Sequence, residues 1–171
     1  MKHGLKLTIF LLAFSSLSAE NARPPEALLD HLKGQWVLSG TIKKSPTTHD
    51  VSAEWVLNHG YLRLREVSHE KKSDGTPAYE AIIFISFDST SNEYSCLWLD
   101  TTSNAGLSVD GIAHGKPGGN SIPFIFKDTA GKVTFENTFS YDKKSDSWEW
   151  LMDNVNNDQR SPFGRVRLVK K

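Results

Sequence analysis

Histidines and carboxylates are the side chains of this sequence that could hold a metal ion or move a proton. The 171 residues include 6 histidines and 20 acidic residues. His69-Glu70 is not followed by the second histidine of a His-Glu-x-x-His zinc motif. The glycine-rich stretch 115–119 has no helix after it to hold a phosphate, and a Gly-x-Ser-x-Gly motif is absent. The sequence therefore predicts no catalytic residue, metal site or cofactor, although carboxylates paired by folding stay open as an alternative.

The single cysteine, Cys96, excludes an internal disulfide framework and a Cys-x-x-Cys site. Alternation along a strand places Cys96 on the same face as Tyr94 and Trp98. Nothing in the local sequence supplies the cation that would activate a thiol. We expect a small buried hydrophobic residue, with a reactive or intermolecular thiol as the alternative.

Several polar residues share a predicted strand face with apolar ones, which is typical of the sparse polar groups in a small-molecule pocket. Trp55, Trp98 and Trp150 are the predicted apolar walls of that pocket. The predicted ligand-binding set is Trp55, Arg63, Arg65, Trp98, Asp100, Asn137 and Trp150. The alternative is that the polar members bond to one another, or that the alternation shifts at a bulge.

Short strands must position these residues. Pro25 to Leu32 has the proline and glutamate start of a short helix, and Gly34 follows as its stop. From there the apolar pattern has period two. It predicts strands at 35–44, 49–58, 60–69, 78–87, 93–102, 107–114, 121–127, 131–141, 147–156 and 163–170. Tight turns join them, so the predicted fold is all-β: an antiparallel up-and-down barrel of about 10 strands with a short N-terminal helix.

The first nineteen residues have the layout of a secretory signal peptide. A basic start precedes the apolar run 7–14, and small residues precede Glu20. We expect residues 1–19 to be removed and residues 20–171 to form one barrel domain in the periplasm or outside the cell. The apolar run is far shorter than the ~20 residues of a membrane-spanning helix. Twenty basic residues balance twenty acidic ones, which argues against a nucleic-acid partner.

Two motifs resemble those of the calycin superfamily, which includes lipocalins and fatty-acid-binding proteins. Gly34-x-Trp36 opens the first strand after a short helix, and Arg167 lies on the last strand. The segments 54–63 and 85–100 are also similar to exported bacterial lipocalin-like domains of unknown function. The resemblance implies a lipocalin-like barrel in which Gly34 and Trp36 close one end and Arg167 packs across the indole, with Arg165 on the same strand face as the alternative.

The resemblance also implies a small apolar or amphipathic ligand inside the barrel. Nitrobindins, a neighbouring group, bind haem through a histidine near the C-terminus, whereas the last histidine here is His114. Fatty-acid-binding proteins use Arg-x-Tyr near the C-terminus, where this chain has Arg165-Val166-Arg167. The alternatives are a filled barrel with a structural or protein-interaction role, then an enzyme using the same cavity, then haem binding. The sequence leaves the oligomeric state open.

Overall fold

A computed structural model describes residues 25–103 and 106–171. The predicted signal peptide, residues 1–19, lies outside the described residues. Helix α1 spans Pro25–Leu32, and a 3-10 turn spans Val109–Gly111. The strands are β1 Gly34–Ile42, β2 Ser45–Val56, β3 Tyr61–Ser68, β4 Glu80–Asp88, β5 Glu93–Asp100, β6 Ile112–Gly115, β7 Ser121–Lys127, β8 Val133–Asp142, β9 Ser147–Asn156 and β10 Gln159–Lys170. The predicted all-β fold with one short N-terminal helix is confirmed.

The ten strands form one closed antiparallel barrel. Each strand pairs with its neighbours in the chain, and β1 also pairs with β10, which joins the two ends of the sheet. Closure matters physically because an open sheet would leave two rows of unpaired backbone groups at its edges. Register shifts interrupt the pairing next to Phe126 and between Pro162 and Gly164.

Two strands begin earlier than the sequence pattern predicts, because their turns are tighter than expected. Lys43 and Lys44 have φ of 51° and 68°, so β1 and β2 are joined by a two-residue turn and β2 begins at Ser45. Asn157 and Asp158, with φ of 49° and 63°, join β9 to β10 in the same way. Positive φ at both central residues gives the twist that tight hairpins need.

One end of the barrel is closed by α1. The apolar side of the helix supplies Leu28, Leu29 and Leu32, each at most 5% exposed. Three tryptophan indoles donate hydrogen bonds to the helix: Trp36 Nε1 to Leu32 O at 2.7 Å, Trp148 Nε1 to His31 O at 3.3 Å, and Trp55 Nε1 to Asp30 Oδ1 at 2.7 Å. We call this the closed end.

The opposite end, which we call the open end, is bordered by turns and connecting segments. These include the turn at Lys43 and Lys44, the connection from β3 to β4, and the 3-10 turn before β6. The antiparallel topology brings the last residues of β1, β3 and β5 to this end, together with the first residues of β2, β4 and β10. In the described part of the chain, no helix has the length and apolar character needed to cross a membrane.

Candidate functional site

A cavity of about 850 Å³ lies inside the barrel at the open end. Its walls come from strands all round the barrel, because the inward-facing residues near one end of a barrel converge on the same space. The apolar part of the wall includes five aromatic side chains, those of Tyr79, Trp98, Phe126, Phe135 and Phe163, together with Ile42 and Met152. These rings contact one another edge to face, with centroids 5.9 Å apart for Phe126 and Phe135 and 5.4 Å apart for Phe135 and Phe163.

One wall of the cavity carries a hydrogen-bonded chain of three polar side chains. His49 Nε2 lies 2.7 Å from Thr47 Oγ1, and His49 Nδ1 is hydrogen-bonded to Glu66 Oε1. His49 is 4% exposed and Glu66 is 2% exposed, and all three residues line the cavity. A carboxylate can only accept, so Nδ1 carries the hydrogen of this bond when Glu66 is ionised. Glu66 Oε2 has no hydrogen-bond partner among the described residues.

A second buried polar group faces the cavity from β8. Asn137 is 1% exposed, and its Oδ1 accepts a hydrogen bond from Trp150 Nε1. Its amide Nδ2 has no partner among the described residues. Two residues of the cavity wall therefore carry a buried acceptor, Glu66 Oε2, and a buried donor, Asn137 Nδ2, that no described residue satisfies. Leaving such groups unpaired costs roughly 1–3 kcal/mol each, so native structures rarely keep them without a reason.

A continuous series of contacts connects the two polar groups. Trp150 and Trp98 have ring centroids 5.4 Å apart, Trp98 Nε1 donates to Tyr79 OH at 3.2 Å, and Tyr79 stacks on His49 with centroids 5.6 Å apart. Burial raises the pKa of Tyr79, and the nearby carboxylate of Glu66 raises it further. Tyr79 therefore stays a neutral phenol and keeps its hydrogen for donation.

Three predicted ligand-binding residues, Trp98, Asp100 and Asn137, line the cavity. Asp100 lies at the rim, where its Oδ1 accepts from the backbone nitrogens of Thr102 and Ser103 at 2.7 and 3.0 Å. Trp150 does not line the cavity; it is fully buried behind Trp98 and stacks on Phe139 with centroids 4.3 Å apart.

The other three predicted ligand-binding residues lie away from the cavity. Trp55 belongs to the closed end, where it bonds to α1 and stacks on His59 with centroids 4.2 Å apart. Arg63 and Arg65 lie on the outer surface of β3, where they pair with Glu54 and Glu80 on the neighbouring strands. Placing these arginines inside was wrong, because the even-numbered residues of β3 are the buried ones.

Three cavity residues that the structure brings together, His49, Glu66 and Tyr79, are absent from the predicted ligand-binding set. The same alternation could have found all three. Glu66 is in phase with the buried Leu64, and His49 is in phase with the buried Val51. Tyr79 lies just before β4 but within the predicted strand 78–87, where it is in phase with the buried Ala81.

The residues predicted to close the barrel are placed partly as expected. Trp36 is fully buried at the closed end, and Gly34 adopts φ +138° beside it. The cation over the Trp36 indole is Lys170, whose Nζ lies 5.4 Å from the ring centroid. Arg167 was the wrong choice. It lies on the outer face and donates to Ser147 Oγ at 2.9 Å, because inward and outward residues alternate along β10.

Cys96 is 2% exposed, as expected for a small core residue, and burial raises the pKa of its thiol well above the ordinary value. His114 lies exposed on β6, and its Nδ1 is 3.2 Å from Ser95 Oγ. Among residues 25–103 and 106–171, no three histidine, cysteine or acidic side chains are grouped closely enough to hold a metal ion.

No protein-family model matches the chain, and no curated protein matches it with significance. The closed ten-stranded antiparallel barrel is consistent with the calycin-like fold that the sequence motifs imply.

Proposed function

We propose that this protein is an exported lipocalin-like barrel that binds a small hydrophobic or amphipathic molecule in its open-end cavity. The observation that carries the proposal is the pair of unpartnered polar atoms, Glu66 Oε2 and Asn137 Nδ2, on residues no more than 2% exposed. Both residues line the cavity, whose wall also includes five aromatic side chains. A ligand that satisfied these atoms would remove the cost of leaving them buried and unpaired.

The size and chemistry of the cavity agree with such a ligand. A volume of about 850 Å³ falls within the roughly 300–1,000 Å³ of small-molecule sites. A filled structural barrel would instead be packed with side chains and would keep few voids larger than a water molecule. Export is the part of the proposal that depends on residues 1–19, which have the layout of a signal peptide.

Native mass spectrometry tests the proposal directly. The protein would be purified without detergent from a host that exports it, and its mass compared before and after denaturation. We expect an added mass that is lost on denaturation, and its value separates a lipid-like molecule from haem. A bare polypeptide that stays bare after incubation with a lipid extract of the host would contradict ligand binding and favour the structural barrel.

A matched pair of variants tests whether the ligand binds inside the cavity. Ala78 lines the cavity, so Ala78→Trp would fill part of the space and reduce the bound fraction. Ala130 lies exposed in the turn between β7 and β8, and Ala130→Trp adds the same side chain outside the cavity. Loss of the added mass in both variants, or in neither, would contradict binding inside the barrel.

A second candidate function is acyl transfer, which the chain Thr47–His49–Glu66 specifically favours. A hydroxyl, a base and an orienting carboxylate follow one another at hydrogen-bond distance on the cavity wall. Thr47 Oγ would attack an ester carbonyl carbon while His49 Nε2 takes the hydroxyl proton and returns it to the departing alcohol. Water would then hydrolyse the acyl-threonine. Hydrolysis of p-nitrophenyl butyrate that Thr47→Val abolishes would favour the enzyme, whereas equal rates in both proteins would exclude this nucleophile.

A further inference from the structure

We infer that the cavity selects an amphipathic amine, with the protonated nitrogen of the ligand bound to Glu66. This inference rests on the proposed function, since it names the class of molecule that the open-end cavity would hold. Glu66 lines the cavity; its Oε1 is bonded to His49, while its buried Oε2 has no hydrogen-bond partner among the described residues. Oε2 can therefore accept a hydrogen bond from a ligand. An ammonium group would donate that bond and would also place a positive charge beside the buried carboxylate.

The charged residues around the cavity favour a cation over an anion. Four acidic side chains line it: Glu66, Glu70, Asp100 and Asp110. Lys43 is the lining residue with a permanent positive charge, and its Nζ lies 5.5 Å from the centroid of the Phe163 ring at the rim. A cleft lined by an excess of one sign of charge concentrates ions of the opposite sign. A fatty acid would bring a second carboxylate into this acidic space.

The aromatic wall can contact both parts of such a ligand. Tyr79 stacks on His49 and also bonds to Trp98, which brings two π faces near the Glu66 side of the cavity. Aromatic faces attract ammonium groups, and this attraction adds to the charge pair at the carboxylate. Phe135 and Phe163 extend the wall with apolar surface, against which a hydrocarbon body can pack.

Three ligands that differ in head group alone test the inference: decylamine, decanol and decanoate. Isothermal titration calorimetry at pH 7.5 with the intact barrel compares them, and a primary amine is protonated at this pH. We expect decylamine to bind at least tenfold more tightly than either of the others. Decanol or decanoate binding as tightly as the amine would overturn the inference and leave ligand binding intact. Absence of binding by all three would contradict both the inference and the proposal that the cavity binds a simple amphiphile.

Substitution of the Glu66 carboxylate is a second test of the inference. Glu66→Gln keeps the shape and removes the charge, and we expect at least a tenfold loss of decylamine affinity with little change for decanol. Glu149, exposed on β9, gives the matched control: Glu149→Gln makes the same change of net charge and should leave both affinities unchanged. Equal loss in the two variants would attribute the preference to overall charge and overturn the role of Glu66. If Glu66→Gln failed to fold, the head-group series would still decide the question.

Discussion

The two ends of the barrel are built from similar residues that are used differently. At the closed end, Trp36, Trp55 and Trp148 each donate the indole hydrogen to helix α1. At the open end, Glu66 and Asn137 are only 2% and 1% exposed, yet each has one buried polar atom without a hydrogen-bond partner among the described residues. Tryptophan is present at both ends. Trp98 borders the cavity at the open end, whereas Trp36 packs against α1 at the closed end.

This difference separates residues that hold the fold from residues free to bind. A fully packed end with satisfied hydrogen bonds contributes stability, because both transfer from water and close packing favour the folded state. An end with unpaired buried polar atoms sacrifices part of that stability, which is typical of functional sites. Mutations at the two ends should therefore have different consequences, and comparing them tests the assignment of roles.

The largest effect should come from the closed end. Trp36→Ala removes a fully buried ring and the hydrogen bond to Leu32 O, which should lower the free energy of unfolding by about 3–5 kcal/mol. Trp98→Ala removes a partly buried ring that already borders a cavity, and should cost about 1–2 kcal/mol while abolishing ligand binding. Guanidinium denaturation measures both. Equal losses would contradict the division between a stabilising end and a binding end.

Much of the fold follows from the sequence, because period-two alternation and turn chemistry act over short distances. The helix at Pro25–Leu32 and the existence of ten strands are predictable in this way. The starts of β2 and β10 are not, because Lys43 and Lys44 are not typical turn residues although both adopt positive φ. Their conformation is imposed by the tight hairpin that the barrel requires.

The candidate site is less predictable, because it depends on which face of each strand points inwards. Asn137 lies among phenylalanines, so its phase is clear, and the prediction of an inward position is confirmed. Arg63 was assigned inwards through its phase with Tyr61, which is itself 43% exposed. The pairing of His49 with Glu66 joins two strands, and nothing in the local sequence of either strand signals its partner.

The next effect concerns the polar chain at the open end. His49→Leu removes the imidazole and leaves both oxygens of the buried Glu66 carboxylate without a hydrogen bond from a described residue. The free energy of unfolding should fall by about 3 kcal/mol, in the lower part of the range for a broken buried pair, because the cavity admits water. The double variant His49→Leu/Glu66→Met replaces both groups by apolar ones and should recover most of this loss. Thermal and denaturant unfolding of the two variants measure the difference.

Recovery of stability in the double variant would distinguish the open end from the closed end. A binding group can be replaced together with its partner at little cost to folding, whereas a packed ring at the closed end cannot be restored by a second change of this kind. If the double variant were less stable than the single one, the chain Thr47–His49–Glu66 would be holding the barrel together. The open end would then be structural as well, and the comparison would fail.

A smaller effect identifies the cation at the closed end. Lys170 Nζ lies 5.4 Å from the Trp36 ring centroid, whereas Arg167 lies on the outer face. A double-mutant cycle of Trp36→Leu with Lys170→Met should give a coupling free energy of about 0.5–1 kcal/mol. The matched cycle with Arg167→Met should give a coupling near zero. The reverse ranking would restore Arg167 as the residue that packs across the indole.

The smallest effect is a dependence of stability on pH at the same end. The hydrogen bond from Lys170 lowers the pKa of Asp146 below its ordinary value of 3.8, and the hydrogen bond from Tyr141 lowers it further. The pKa is therefore lower in the folded chain than in the unfolded one, so the stabilisation is complete above about pH 4 and is lost as the pH falls through the folded value. Asp146→Asn should therefore have a lower free energy of unfolding than the parent protein at pH 7, and the two values should converge as the pH falls. Denaturant unfolding at several pH values measures both.

In a Lys170→Met background, the difference in unfolding free energy at pH 7 should shrink, because the main cause of the lowered pKa is gone. A difference that persisted unchanged in that background would show that Lys170 stabilises the closed end through the indole of Trp36 and not through this carboxylate.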